Sequence, residues 1–141
     1  LDYMGLDASM RWHAETQCAR AGLILSYVSE LGDQRFDSRT EIVVFRLMQE
    51  ALTNVIRHAQ AKEVSIDIVV DPEALEMTVV DDGNGFDVEL ARRRMLLGQS
   101  TGLLGMEERA RLVDGALDIV SETGGGTTVR VRLPIKESSQ P

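Results

Sequence analysis

Glu50, Asn54 and Arg57 are spaced four and three residues apart. On a helix turning about 100° per residue they fall within about 60° of one another, with His58 at the edge of the same stripe. A carboxylate, a neutral amide and two potential cations so aligned suit a metal-bound phosphate. Mg²⁺ takes hard oxygen ligands and usually keeps waters and substrate phosphates. The Asn54 oxygen would ligate it without adding charge, Glu50 supplies the carboxylate of the stripe, and Arg57 and His58 would offset phosphate charge. A solvated helix face is the plain alternative. Asn54 weakens it, because asparagine is a poor helix former that gains nothing in mid-helix unless its amide has a partner.

Glycine-rich segments are the second source of chemistry. Asp81-Asp82-Gly83-Asn84-Gly85 follows directly on an apolar run, so Asp81 stands at a strand end where its carboxylate can accept a hydrogen bond from an amino group. Glycines there let a ligand come close to the main chain, although Asp-Gly and Asn-Gly pairs are also ordinary turn formers. Thr101-Gly102-Leu103-Leu104-Gly105-Met106 places two glycines at a helix start, where unsatisfied N–H groups and the helix dipole attract phosphate. The Gly-Lys-Ser/Thr of a Walker A loop is absent. Gly124-Gly125-Gly126 reads as a flexible hairpin.

The elements that must position these residues are set by periodicity. Leu6–Ala21 reads as a helix stopped by Gly22, and 23–29 as a short β-leaning run. Ser38 and Glu41 have capping-box spacing and open a long helix over 38–59. On it Val44, Leu47, Met48, Ala51, Leu52, Val55, Ile56 and Ala59 should face the core. Segments 64–70 and 75–80 read as a hairpin. A charged stretch with Arg92-Arg93-Arg94 has weak helical character, 103–114 is a helix stopped by Gly115, and 116–121 and 127–133 form a last strand pair. The order predicts an α+β sandwich, one mostly antiparallel sheet with its helices on one face. Hairpins replace most strand–helix–strand crossovers, which disfavours a Rossmann fold.

Composition sets the bounds. The chain has 141 residues, 43% hydrophobic, with 15 Lys+Arg against 23 Asp+Glu and a formal charge of −8. That is one domain's length, and its acidity argues against a surface for nucleic acid or anionic lipid. One cysteine, Cys18, excludes an internal disulfide, and no Cys/His cluster has zinc spacing. The longest apolar run, 21–25, is far below the ~20 residues that span a bilayer. A soluble, reducing-compartment domain is expected, beginning at Leu1 as a fragment of something longer.

Taken together, the motifs identify a resemblance. Gln49-Glu50-Ala51-Leu52-Thr53-Asn54-Val55-Ile56-Arg57-His58-Ala59 resembles the N box of the GHKL ATPase superfamily of sensor histidine kinases, gyrase B, the heat-shock chaperone ATPase and mismatch-repair ATPases. Asp81 to Phe86 resembles its first glycine box, Gly102 to Ala110 its second, and Gly124 to Pro134 its closing strand pair. The wording of the boxes is similar to that of the histidine kinases that partner LuxR-type response regulators.

The resemblance implies the Bergerat two-layer α/β sandwich with a mobile ATP lid over roughly 84–101. N-terminal helix and strand would be residues 1–37, the ATP-binding region 38–134 and a disordered tail 135–141. It implies ATP and Mg²⁺ as ligands. Asp81 would accept the adenine amino group, with Gly83 and Gly85 letting backbone pass close to the base. Asn54 would ligate Mg²⁺, with Glu50 supporting the metal or acting as a base. Arg57, His58, Gly102, Leu103 and Gly105 would face phosphate, and Thr127 would lie near the adenine. Arg92–Arg94 would lie in the lid, solvated rather than bound to phosphate.

The acceptor-histidine hairpin of such kinases has no counterpart: His58 belongs to the N box, and His13, followed by Ala14 instead of an acidic residue, reads as a packed or surface histidine. The implied function is a cytoplasmic catalytic domain passing the γ-phosphate of Mg-ATP to a histidine on a separate dimerisation domain, and through it to a response regulator. No nucleic-acid or direct membrane contact is implied. A nucleotide-binding regulatory module and an anti-sigma-factor serine kinase of the same fold are the alternatives.

Overall fold

Apolar residues alternate along the strand segments and recur at helical spacing along the helices, and burying both sets against each other generates two layers. The computed structural model describes residues 5–98 and 102–135, except for the side chains of residues 58, 59, 95 and 102–104. The elements are α1 (Leu6–Ala21), β1 (Ile24–Ser29), α2 (Ser38–Asn54) running into a π-helical turn (Val55–Ala59), β2 (Glu63–Val70), β3 (Ala74–Asp81), α3 (Val88–Leu96), α4 (Gly102–Arg111), β4 (Ala116–Ser121) and β5 (Thr127–Pro134). The charged stretch around Arg92 is thus a formed helix, α3.

One five-stranded sheet has the order β1-β2-β3-β5-β4. Only β1 pairs in parallel, with β2; β2–β3, β3–β5 and β4–β5 are antiparallel. The inward positions form cross-strand rows, Ile66–Val79–Val129–Ile119 and Ile68–Met77–Val131–Leu117. Against them pack Leu6, Met10, Ala14 and Cys18 of α1, Val44, Leu47, Met48 and Ala51 of α2, and Met106 and Ala110 of α4. Each Leu, Val or Met among them contributes about 1.5–3 kcal/mol by leaving water. The expected α+β sandwich is therefore the fold observed. No helix among the described residues is long and apolar enough to cross a membrane.

At its start α2 departs from the capping-box expectation. Asp37 is the N-cap and makes no side-chain cap bond. Glu41 is buried and accepts the Phe36 N–H at 3.0 Å and the Arg35 guanidinium at 3.1 and 3.2 Å. At the other end α2 runs into the π turn, which adds a residue to the helical repeat. Ile56, expected in the core, lies in this turn and is 37% exposed.

His13 packs against Phe45, ring centroids 5.4 Å apart, and burial lowers its pKa. Tyr27 of β1 donates its hydroxyl to Asp7 of α1 at 2.9 Å, under the Arg11 guanidinium. Of the tail expected to be disordered, residues 136–141 lie outside the described residues. Ile135 is ordered: its N–H donates to the Glu73 carbonyl at 2.9 Å and its side chain packs on the core.

Candidate functional site

Three strands break their apolar alternation at the same end of the sheet. The inward series Leu75, Met77, Val79 of β3 ends on Asp81, Leu117 and Ile119 of β4 end on Ser121, and Leu133, Val131, Val129 of β5, running the other way, end on Thr127. The register aligns them as Asp81–Thr127–Ser121. Residues in one cross-strand row project from the same face, so this end of the otherwise apolar, helix-covered face carries a polar row.

Asp81 is only 7% exposed, and its Oδ1 accepts the Gly83 N–H at 2.8 Å. Burial pushes its carboxyl above the ordinary range; the Gly83 amide opposes this and the neighbouring Asp82 charge adds to it. Asp82 behaves oppositely. Its Oδ1 accepts the Lys62 and Glu63 N–H groups at 2.8 and 3.0 Å, and these amides hold it below the usual range. Asp82 therefore pins the loop to the start of β2, while Asp81 remains a shielded acceptor.

Ser121 joins the row to the loops around it. Its hydroxyl donates to the Gly126 carbonyl at 3.0 Å, accepts the Phe86 N–H at 2.9 Å, and lies 2.7 Å from the Thr127 hydroxyl. The glycines here serve close packing of the chain on itself. Gly85 (φ +66) leaves no room for a Cβ against the Glu122 carbonyl, and Gly126 (φ +77) none against the Asp81 carbonyl. The Gly124 N–H donates to the Asn84 carbonyl. At Gly85 the chain's own backbone comes close, and within the triple glycine Gly126 is the position fitted against a neighbouring segment.

The remaining candidate residues lie on the helices. Asn54 is the last α-helical residue of α2 and is exposed, its Nδ2 4.0 Å from the Sδ of Met106, which is 1% exposed on α4. Glu50 is half-buried and Arg57 exposed; His58 is in the π turn, its side chain outside the described residues. Gly102, Leu103 and Gly105 form the first turn of α4; nothing beyond the backbone is described for 102–104. A Cβ at Gly105 would meet no described atom within 4 Å, so no packing contact there demands glycine. Arg92 of α3 bonds Glu107 of α4 at 3.1 Å, and Arg93 and Arg94 are exposed. The Asn84 side chain donates to Gln60 at 3.1 Å, linking the first glycine segment to the end of the π turn.

The structure thus gathers Asp81, Gly83 and Thr127 around the sheet end and links Asn54 to α4 through Met106. Ser121, Met106 and Gln60 do not stand out in the sequence. Ser121 was findable: a polar residue ending an inward alternation at the same strand end as Asp81 and Thr127. Met106 reads as core, and only the fold brings it to Asn54.

Residues 39–137 match the model of the family described as histidine kinase-, DNA gyrase B-, and HSP90-like ATPase. The signal transduction histidine-protein kinase/phosphatase DegS of Bacillus subtilis is 30% identical over 138 residues, covering 96% of this chain and 35% of that protein. The oxygen sensor histidine kinase NreB of Staphylococcus carnosus is 36% identical over 137 residues, covering 97% and 38%. The chain therefore spans little more than a third of these relatives. Among solved structures, the histidine kinase domain of the Erythrobacter litoralis EL346 blue-light activated kinase superposes with TM-score 0.77 at 19% identity, over 93% of this chain and 61% of that one. Acinetobacter baumannii histidine kinase AdeS superposes with TM-score 0.69 at 13% identity, over 94% and 64%. At such identities these structures speak for the fold.

Proposed function

The chain belongs to the histidine kinase-, DNA gyrase B-, and HSP90-like ATPase family, and from that membership we propose that it is the ATP-binding catalytic domain of a two-component sensor histidine kinase. It holds Mg-ATP and presents the γ-phosphate to a histidine on a separate helical dimerisation domain, from which a response regulator is phosphorylated, all in the cytoplasm. The observation that carries this reading is the polar row Asp81–Thr127–Ser121 at the end of an otherwise apolar sheet face, closed in by the Gly83 and Gly126 turns.

In this reading Asp81 accepts the adenine amino group, and its raised pKa reflects the shielding that makes a single acceptor selective. The residues present suit a magnesium ion. The Asn54 nitrogen lies 4.0 Å from the Met106 sulfur; the harder Oδ1 would serve the cation, and Glu50, one turn away on α2, would orient its shell. A bound magnesium ion would neutralise the phosphate oxygens and polarise the γ-phosphoryl group. Arg57 and His58 compensate the remaining charge. The α4 N-terminus, through Gly102, Leu103 and Gly105, offers backbone donors to phosphate, and the bare Gly105 position fits close approach. The segment around α3 serves as the lid, docked through Arg92 and Glu107.

Attack by the acceptor imidazole forms the N–P bond as the bond from the γ-phosphorus to the bridging oxygen breaks and ADP leaves, so this domain contributes positioning and charge compensation rather than a covalent intermediate. Titration calorimetry with ATP and Mg²⁺ tests the binding: saturable one-to-one heat supports the reading, and its absence rejects it.

A further inference from the structure

Ser121 ends the polar row beside Thr127, and the proton count around it fixes what Thr127 can offer a ligand. A serine hydroxyl has one proton and two acceptor lone pairs. The proton is committed to the Gly126 carbonyl, which can only accept, at 3.0 Å; Gly126 is buried, where an unpaired carbonyl is costly. One lone pair receives the Phe86 N–H at 2.9 Å. The remaining lone pair faces the Thr127 hydroxyl at 2.7 Å, so in that contact Thr127 is the donor. With its only proton turned to Ser121, Thr127 shows a ligand lone pairs alone. Its register partner Asp81 is likewise an acceptor, with Oδ1 already bonded to the Gly83 N–H.

From this geometry we propose that Ser121 is a specificity-determining positioning residue. By taking the Thr127 proton it makes the sheet end a pair of acceptors, which selects an exocyclic amino group and rejects a carbonyl oxygen at the same position. The inference rests on the reading of this end as the base subsite. It adds to that reading the rejection of 6-oxopurines and assigns it to a residue that does not touch the base. A 6-aminopurine has two N–H donors to give to Asp81 and Thr127. A 6-oxopurine presents an acceptor to two acceptors, an unfavourable match that a site of fixed polarity cannot relieve.

The test is calorimetric binding of ADP and IDP, which differ at the purine 6-position and its adjoining ring proton, to the wild-type chain, Ser121→Ala, Ser121→Thr, Thr127→Val and the Ser121→Ala/Thr127→Val double variant. The wild type should prefer ADP. Ser121→Ala frees the Thr127 proton to turn toward an oxo group, so the ADP:IDP affinity ratio should narrow about tenfold, the scale of one hydrogen bond. Ser121→Thr keeps the hydroxyl and should keep the ratio. Thr127→Val should narrow it, and Ser121→Ala added to that background should change it no further. A merely structural Ser121, holding the turn through Phe86 and Gly126, would weaken both nucleotides equally and leave the ratio unchanged, which overturns the proposal. Should Ser121→Ala fail to fold, Thr127→Val decides: an unaltered ratio there overturns it as well. A wild type that binds neither nucleotide rejects the site reading itself, whereas one that prefers ADP with a ratio insensitive to Ser121 and Thr127 rejects this inference alone.

Discussion

Asp81 and Thr127 are register partners across β3 and β5, Asp81 closing its strand and Thr127 opening its own. The pairing places two polar side chains at the edge of a hydrophobic core. The residues behind them in each strand are buried aliphatics, so both polar groups stand on a rigid, water-excluding base, where a hydrogen bond counts for more than at an open surface.

Asp81→Asn should fold and lose ADP affinity by at least about tenfold, since a charge-assisted acceptor gives way to a neutral amide. It should also gain stability in the absence of nucleotide. The Asp81 carboxyl is raised above its ordinary 3.8 by burial, so its contribution to stability is fully present below that value and is lost as pH rises through the higher folded-state value. Thermal melts from pH 3 to pH 8 should show the variant above the wild type at neutral pH, with the gap closing in acid. A gap that widens in acid contradicts the burial argument.

Asn54→Ala should abolish the dependence of nucleotide affinity on Mg²⁺ while shifting stability by no more than about 0.5 kcal/mol, because the side chain is exposed and its bond to the Met106 sulfur is weak. Calorimetry with and without EDTA checks this. Persistence of the magnesium effect removes Asn54 from the ligand set.

Gly126→Ala should cost about 1–3 kcal/mol, combining a positive φ with overlap against the Asp81 carbonyl. Gly124→Ala shares the positive φ but meets nothing within 4 Å, and should cost less. Urea unfolding of the pair separates strain from collision. Equal losses would mean that the close approach to Asp81 carries no weight.

Arg92→Ala removes a half-exposed ion pair, worth less than about 1 kcal/mol to global stability. Its effect should be local: faster amide exchange in α3, with β2 and β3 unchanged. Uniform acceleration across the chain would argue against α3 opening as a separate unit.

Much of this was legible in the chain. Alternation and helical spacing gave the layers, and Asp81, Asn54 and the glycine segments carried enough pattern to suggest a phosphate- and amine-binding site. What escaped depends on local backbone geometry. Ile56 lay on the core face of an ideal helix, but it falls in the π turn and is partly exposed. Glu41 had capping-box spacing, but its carboxylate binds the Phe36 N–H ahead of the helix. Gly85 and the triple glycine looked permissive, yet Gly85 and Gly126 are demanded by backbone crossings between segments about forty residues apart. The bond between Asn54 and Met106 spans 52 residues, beyond the reach of any periodicity.

The proposed activity is donation of phosphate from ATP to a histidine outside this domain. Incubating the domain with γ-labelled ATP, Mg²⁺ and a histidine-bearing helical-hairpin domain measures that directly. Acid-labile, base-stable label should appear on the hairpin and be absent with Asp81→Asn. Label released as free phosphate with none on the hairpin, after long incubation and with ATP binding intact, contradicts the proposed activity.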